Sequence, residues 1–236
     1  MPEVSFANDP QRAYAAYAEE GYFCEPGLFS PTECDRIIAA SAELQTNRDG
    51  SFAPTMNVHK QGGVFVAAMA KPAVLDIMDR LVHGKANGLH SQFYFTPPHR
   101  AGLGTHQDNY FVEAPGDAFA SAWIPLVDIG PENGGLYVFA GSHREGPLPV
   151  RTVNAAGQDK RQTVYEETVV PPRYGSVDIR VARGSVVLLH GYVVHGSHQN
   201  KSGDKRYVLL NTYIRSKEHF RPGNTAKREE FELTRS

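Results

Sequence analysis

Cysteine is scarce in this chain: two among 236 residues, Cys24 and Cys34. The expectation is a pair of reduced thiols in a cytoplasmic protein, since a disulfide framework belongs to oxidising compartments. No apolar run approaches the roughly 18 residues of a membrane-spanning helix, so no membrane partner is expected. The chain has no surplus of either charge: 24 Lys+Arg against 26 Asp+Glu leave a formal net charge of −2. That balance argues against a nucleic-acid partner, which calls for a basic surplus, and gives no polybasic grip for a membrane surface. The first twenty residues are acidic and polar, unlike a signal peptide. Internal repeats and low-complexity tracts are missing as well. A hydrophobic content of 41% can fill a core and excludes disorder, and the length fits one domain spanning residues 1–236. What is plentiful is histidine, ten residues, more than packing requires.

The first 45 residues read as helical. Residues 10–20 are rich in Ala, Tyr and Glu and stop at Gly21. Ser30, Pro31 and Glu33 then form a capping box with proline at the first helical position. A third helix is expected over residues 72–82, with Val74, Leu75, Met78, Leu81 and Val82 on one stripe. From about residue 89 the pattern changes to short β-rich runs, at 89–96, 120–127, 136–140, 185–190 and 206–214. Clusters of Gly, Pro and Asn separate them. A helical N-terminal layer (about 1–88) bracing an antiparallel jelly-roll core (about 89–215) is the expected architecture, mostly β with flanking helices. The polar segment 151–175 is too long for a simple connection and reads as a lid or mobile loop. The charged tail, 227–236, reads as peripheral.

The chemistry starts at His106-Gln107-Asp108. Residues two apart on a strand share a face, so imidazole and carboxylate can meet one ion. Two His and one carboxylate on one side of a metal leave positions open, the donor set of a non-haem Fe(II) oxygenase. Ten histidines and 26 acidic residues in 236 produce about one His-x-Asp/Glu by chance, so the motif alone is weak. The sequence has a second, His143-x-Glu145. A third ligand must come from a strand that returns beside the first, and His190, His195 and His198 compete for it. Arg206 opens the last apolar strand, on the same face as Val208, Leu210, Thr212 and Ile214. A buried arginine needs a carboxylate, and its planar fork takes one in two parallel hydrogen bonds. A dicarboxylate cosubstrate would supply that group.

These residues carry a resemblance. His106-x-Asp108, His195 and Arg206, in that order and spacing, resemble the phytanoyl-CoA dioxygenase-like (PhyH) family of Fe(II)/2-oxoglutarate oxygenases. Similar blocks accompany them: Gln92-Phe93-Tyr94-Phe95 before Pro97-Pro98, Trp123-Ile124-Pro125-Leu126, Pro131-Glu132-Asn133-Gly134-Gly135, and Gly141-Ser142-His143. The resemblance implies iron on His106, Asp108 and His195. It also implies 2-oxoglutarate held by Arg206, with support from Gln107, Trp123 and Gln92, and O₂ as second cosubstrate. His143 falls in a structural turn. Gln107 has the opposite strand parity to its neighbours, which demands an irregular strand there. Asp108 fills the position where halogenating relatives leave room for halide.

For the substrate, Asn109, Tyr110 and Phe111 follow the metal ligands directly and are candidate pocket walls. His59 and Lys60 are weaker candidates, for which surface exposure is the expectation. The mixture suits a small metabolite, and the resemblance implies hydroxylation, desaturation or ring closure of a C–H bond, as in natural-product tailoring. Two alternatives stand beside that reading: a non-oxygenase metal cupin enzyme of isomerase type, and an acyl-CoA or lipid hydroxylase. The sequence makes no statement on oligomeric state.

Overall fold

Proline and a side-chain cap start each of the first two helices. The computed structural model describes residues 4–44, 54–153 and 166–235. In α1 (Pro10–Glu20) the Asp9 carboxylate accepts from Arg12 N, and Gly21 ends the helix at φ 77°. Strand β1 (Tyr22–Glu25) follows. Helix α2 (Pro31–Ser41) carries the complete Ser30/Glu33 capping box. After β2 (Thr55–Met56) come α3 (Gly63–Met69) and α4 (Pro72–Leu81). The stripe of α4 buries Val74, Leu75, Ile77, Met78 and Leu81.

The long β3 (Ala86–Thr96) leads to a short helix α5 (Asp108–Val112), and then to β4 (Phe119–Pro125) and β5 (Leu136–Phe139). The remaining strands are β6 (Val150–Thr152), β7 (Glu166–Thr168), β8 (Val177–Asp178), β9 (Val186–His190), β10 (Val194–Ser197) and β11 (Arg206–Arg215). Six strands form the major sheet in the order β1-β9-β4-β11-β3-β2, and β10-β5-β8 form a minor sheet. All pairings within these two sheets are antiparallel.

Strand alternation divides the core. One face of the major sheet, with Phe93, Ala122, Ile124, Leu188 and Leu209, packs against the helices through Tyr17, Ile37, Leu75 and Met78. The other face, with Trp123, Val187, Leu189, Val208 and Leu210, packs against Leu136 and Val138 of the minor sheet. This inner face, between the sheets, is where Gln92, Tyr94, Thr96, Arg206 and Thr212 also project, because they share the parity of Val208 and Leu210.

Three expectations change. The segment 1–88 is not purely helical, since β1 and β2 join the major sheet through β9 and β3. The ends of the expected 151–175 loop pair as a ribbon, β6 with β7, while residues 154–165 lie outside the described residues. The tail is not peripheral. Phe231 exchanges both backbone hydrogen bonds with Gly88, and Leu233 is buried in the core. Cys24 and Cys34 form no disulfide, Cys34 being buried. No helix among the described residues is long and apolar enough to cross a membrane.

Candidate metal centre

The histidine pair is assembled by backbone pairing. His106 N donates to His195 O (2.9 Å) and His195 N donates to His106 O (3.0 Å), which brings the two rings to 4.3 Å between centroids. His195 lies inside β10 opposite Val138, so it faces the space between the sheets. The turn after β9 is confined to Gly191-Tyr192, and pairing with β5 resumes at Val194. Asp108 is not on a strand but is the first residue of α5. Gln107 is extended (φ −110°, ψ 127°), so His106 and Asp108 still project to one side.

The three side chains form a single donor cluster, with ligand atoms within 4.8 Å of one another. Asp108 Oδ1 lies 3.6 Å from His106 Nε2 and 3.8 Å from His195 Nε2. Each imidazole is oriented from behind: His106 Nδ1 donates to Gly104 O (2.9 Å) and His195 Nδ1 donates to Val193 O (3.1 Å). Those bonds fix the tautomer that leaves both Nε2 lone pairs pointing at the carboxylate. Ser121 Oγ donates to Asp108 Oδ2 at 2.7 Å and leaves Oδ1 for the centre. Burial, with neighbouring His195, pushes His106 down to about 4. Burial alone would raise the Asp108 carboxyl, but the two imidazoles and the Ser121 hydroxyl together hold it below its usual value. Two imidazole nitrogens and a carboxylate oxygen converge on one point, and the donor set fits a divalent transition metal.

Arg206 is buried, 6% exposed. Its Nη1 donates to Gly134 O and its Nη2 to Thr96 Oγ1 (2.8 Å), while Nε is buried with no partner. Among the described residues no carboxylate pairs with it. Burial lowers it to about 10, which still leaves it charged at neutral pH. Its Cζ sits 5.9 Å from the Trp123 ring centroid, a cation–π distance. A buried guanidinium without a counter-ion fits an anionic ligand that completes it. Tyr94, donating to Gln92 Oε1 at 2.5 Å, is within electrostatic reach of both Asp108 and Arg206.

The other sequence candidates separate. Gln107 turns away from the cluster. Its Nε2 donates to Gly146 O and Tyr192 O, and its Oε1 accepts from Leu148 N, so the amide is consumed in holding loops together. The parity of Gln107 already pointed that way. Asn109 is also consumed, closing the loop to Ala114 through both amide atoms. Tyr110 is exposed and donates to Glu166. Phe111 places its ring 6.5 Å from that of His106. Against the expectation of exposure, His59 is buried: it stacks on Phe231 at 4.5 Å and bonds Ser91 Oγ. Lys60 is exposed and paired with Glu229. His143 bonds Ala18 O and holds the end of α1. Gly21 is confined by that ring, since a Cβ there would overlap it.

Two contributors escaped the sequence reading. Thr96 has the parity of Gln92 on β3 and could have been found from it. Ser121 has the parity of Trp123 on β4.

Comparison with known proteins follows the same outline. The family profile described as Phytanoyl-CoA dioxygenase (PhyH) matches residues 17–208. A mouse (Mus musculus) protein, phytanoyl-CoA dioxygenase domain-containing protein 1, is 31% identical over 195 residues, covering 80% of this chain and 61% of its own length. The chain thus spans about three fifths of the length of the first curated relatives. Among solved structures, the non-heme alpha ketoglutarate dependent carbocyclase SnoK from nogalamycin biosynthesis has a TM-score of 0.74 at 22% identity, covering 95% of this chain and 91% of that one. EctD from S. alaskensis, with 2-oxoglutarate and 5-hydroxyectoine, has a TM-score of 0.69 at 21% identity, covering 87% and 76%. At these identities the structures establish a shared fold.

Proposed function

The chain belongs to the phytanoyl-CoA dioxygenase family, and from that premise we propose that it is an Fe(II)- and 2-oxoglutarate-dependent dioxygenase oxidising a C–H bond of a small metabolite. The observation that carries this reading is the coexistence, on one inner face, of the His106/Asp108/His195 cluster and a buried arginine lacking a carboxylate. A metal cupin enzyme of isomerase type has no use for that arginine.

His106, Asp108 and His195 would hold the iron, and Arg206 would take the distal carboxylate of 2-oxoglutarate. When bound, iron, 2-oxoglutarate and O₂ supply the oxidising power, with succinate and CO₂ as co-products. The protein supplies position and exclusion of water. Gly104 O and Val193 O keep the two imidazoles in the binding tautomer. Ser121 keeps Asp108 turned to the centre. Thr96 fixes the plane of the Arg206 guanidinium, Trp123 covers its face, and Val208 and Leu210 keep the surroundings dry.

Natural-product tailoring, by hydroxylation, desaturation or ring closure, is the role we favour over acyl-CoA catabolism. In support, SnoK acts in nogalamycin biosynthesis by its description. The test is anaerobic reconstitution with Fe(II) followed by 2-oxoglutarate. A weak visible charge-transfer band is expected, lost in His195→Ala and weakened in Arg206→Ala, with O₂-dependent succinate formation. If no band forms and no succinate appears, the dioxygenase reading is wrong.

A further inference from the structure

Three arginines punctuate the tail. Arg221 and Arg235 are exposed and paired with carboxylates, Glu113 for the first and Asp76 and Asp79 for the second. Arg228, more buried than either, pairs with no carboxylate among the described residues. Its Nη1 donates to the carbonyls of Phe111, Arg221 and Pro222, which pins the guanidinium at the end of α5, the helix that begins with Asp108. Arg228 and Asp108 sense each other's charge. A half-buried cation is thus held beside the metal centre by backbone oxygens, which orient it without neutralising it.

Within electrostatic reach of it stands His90, 1% exposed. It opposes Thr212, which opposes Ser121, so it belongs to the row of the inner face that ends on Asp108. His90 Nδ1 bonds Asn57 Oδ1 at 2.6 Å, and Asn57 spends its Nδ2 on Ala226 O. Nδ1 therefore carries the hydrogen and Nε2 is an acceptor. Nε2 is buried and no hydrogen bond reaches it. Arg228 and Asp108 are both within electrostatic reach of this ring.

These two groups stand apart from the Arg206 end. Thr96, on Arg206, and His90 are six residues apart on β3, about 20 Å along the strand, so Arg228 is not a second grip on the same cosubstrate carboxylate. Charge points the same way. A divalent metal balances a doubly charged cosubstrate, and Asp108 balances Arg206. Arg228 is left over.

We propose that Arg228 and His90 form the substrate subsite of the metal centre, and that the substrate is a small carboxylate with an O–H or N–H donor beside it, a hydroxy or amino acid. The carboxylate is taken by Arg228, and the adjacent donor bonds His90 Nε2. This assignment rests on the dioxygenase reading for its place in a reaction, while its binding chemistry can be tested separately.

The test uses the whole protein loaded with Mn(II) in place of iron, at saturating 2-oxoglutarate, with trifluoroacetate as the probe and ¹⁹F relaxation as the readout. Trifluoroacetate should relax faster near the metal, and the uncharged trifluoroethanol should not. In Arg228→Gln the affinity for trifluoroacetate should fall at least about tenfold, as for losing a charge-assisted hydrogen bond; Arg228→Lys should keep part of it. Trifluorolactate, which adds a hydroxyl beside the carboxylate, should bind more tightly than trifluoroacetate, and His90→Phe should abolish only that advantage. Equal relaxation of trifluoroacetate in wild type and Arg228→Gln, or equal effects with trifluoroethanol, overturns the proposal. Water-proton relaxation reports Mn(II) binding itself in wild type and His195→Ala. If Mn(II) does not bind while metal-free protein still broadens the trifluoroacetate line through Arg228, the metal reading fails and the carboxylate subsite stands.

Discussion

At Asp108 a single oxygen faces two imidazole lone pairs, and what keeps it there is one hydroxyl. Ser121 Oγ is the hydrogen-bond donor that selects which oxygen is free. Removing it leaves the carboxylate able to rotate, so Ser121→Ala is expected to weaken divalent-metal affinity by about 10–100-fold, measured by calorimetric titration. Unchanged affinity would mean that α5 alone orients Asp108. The neutral histidines make a second statement at this scale. Burial pushes His90 down to about 3 and His59 down to about 4, from an unfolded value near 6.5. Above pH 6.5 neither state binds these protons, and their contribution to stability is complete. As pH falls below 6.5 the unfolded chain takes up protons that the folded chain refuses, so stability declines until the folded values are reached. The limiting slope is about 1.4 kcal/mol per pH unit for each group. Thermal unfolding of the metal-free protein between pH 7 and pH 5 should show the loss, with a shallower slope in His90→Gln.

Elements were legible where their chemistry is local. Ser30 and Glu33 announce α2 because a capping box is written in four consecutive residues, and the α4 stripe is written in ten. The long strands β3, β4 and β11 show enough alternation to be seen. The short strands β2, β6, β7, β8 and β10 hold two to four residues each, too few for a period of two to stand out; only the partner strand creates them. The site follows the same division. His106, Asp108, His195 and Arg206 were placed by spacing and resemblance. The consumption of the Gln107 amide by Gly146, Tyr192 and Leu148 depends on loops brought close only by folding. One such approach is tight enough to test. A Cβ at Gly102 would overlap the carbonyl oxygen of Ser197, itself in β10 two residues past His195. Gly102→Ala must therefore move backbone, and the nearest backbone belongs to the strand that carries His195. Loss of at least about tenfold in metal affinity is expected, on the scale of a disturbed ligand orientation. A variant with native affinity would show that the 102 loop yields instead of the strand.

Across the whole molecule, the tail is what joins the helical side, the sheet and the site. Phe231 completes both backbone hydrogen bonds with Gly88, and a Cβ on Gly88 would stand 2.5 Å from its ring, so only glycine admits this crossing. The same ring stacks on His59, whose backbone N–H and Nδ1 both engage Ser91 Oγ. Ala226 O holds Asn57, and Asn57 holds His90. Leu233 enters the core and Arg235 reaches Asp79 on α4. A charged composition hid all of this, because the anchoring residues are single apolar side chains spaced among ion pairs. Removing the central anchor should therefore act at two distances. Phe231→Ala loses a partly buried ring and its stack, about 2 kcal/mol, which for a chain of this length lowers Tm by about 4–8 °C. It should also raise hydrogen exchange in residues 221–231 above that in β3, since the tail can then detach while the sheet persists. If Tm falls while exchange in the tail stays at the level of β3, Phe231 is only a packing residue, and Arg228 and the Asn57–His90 pair keep their places without it.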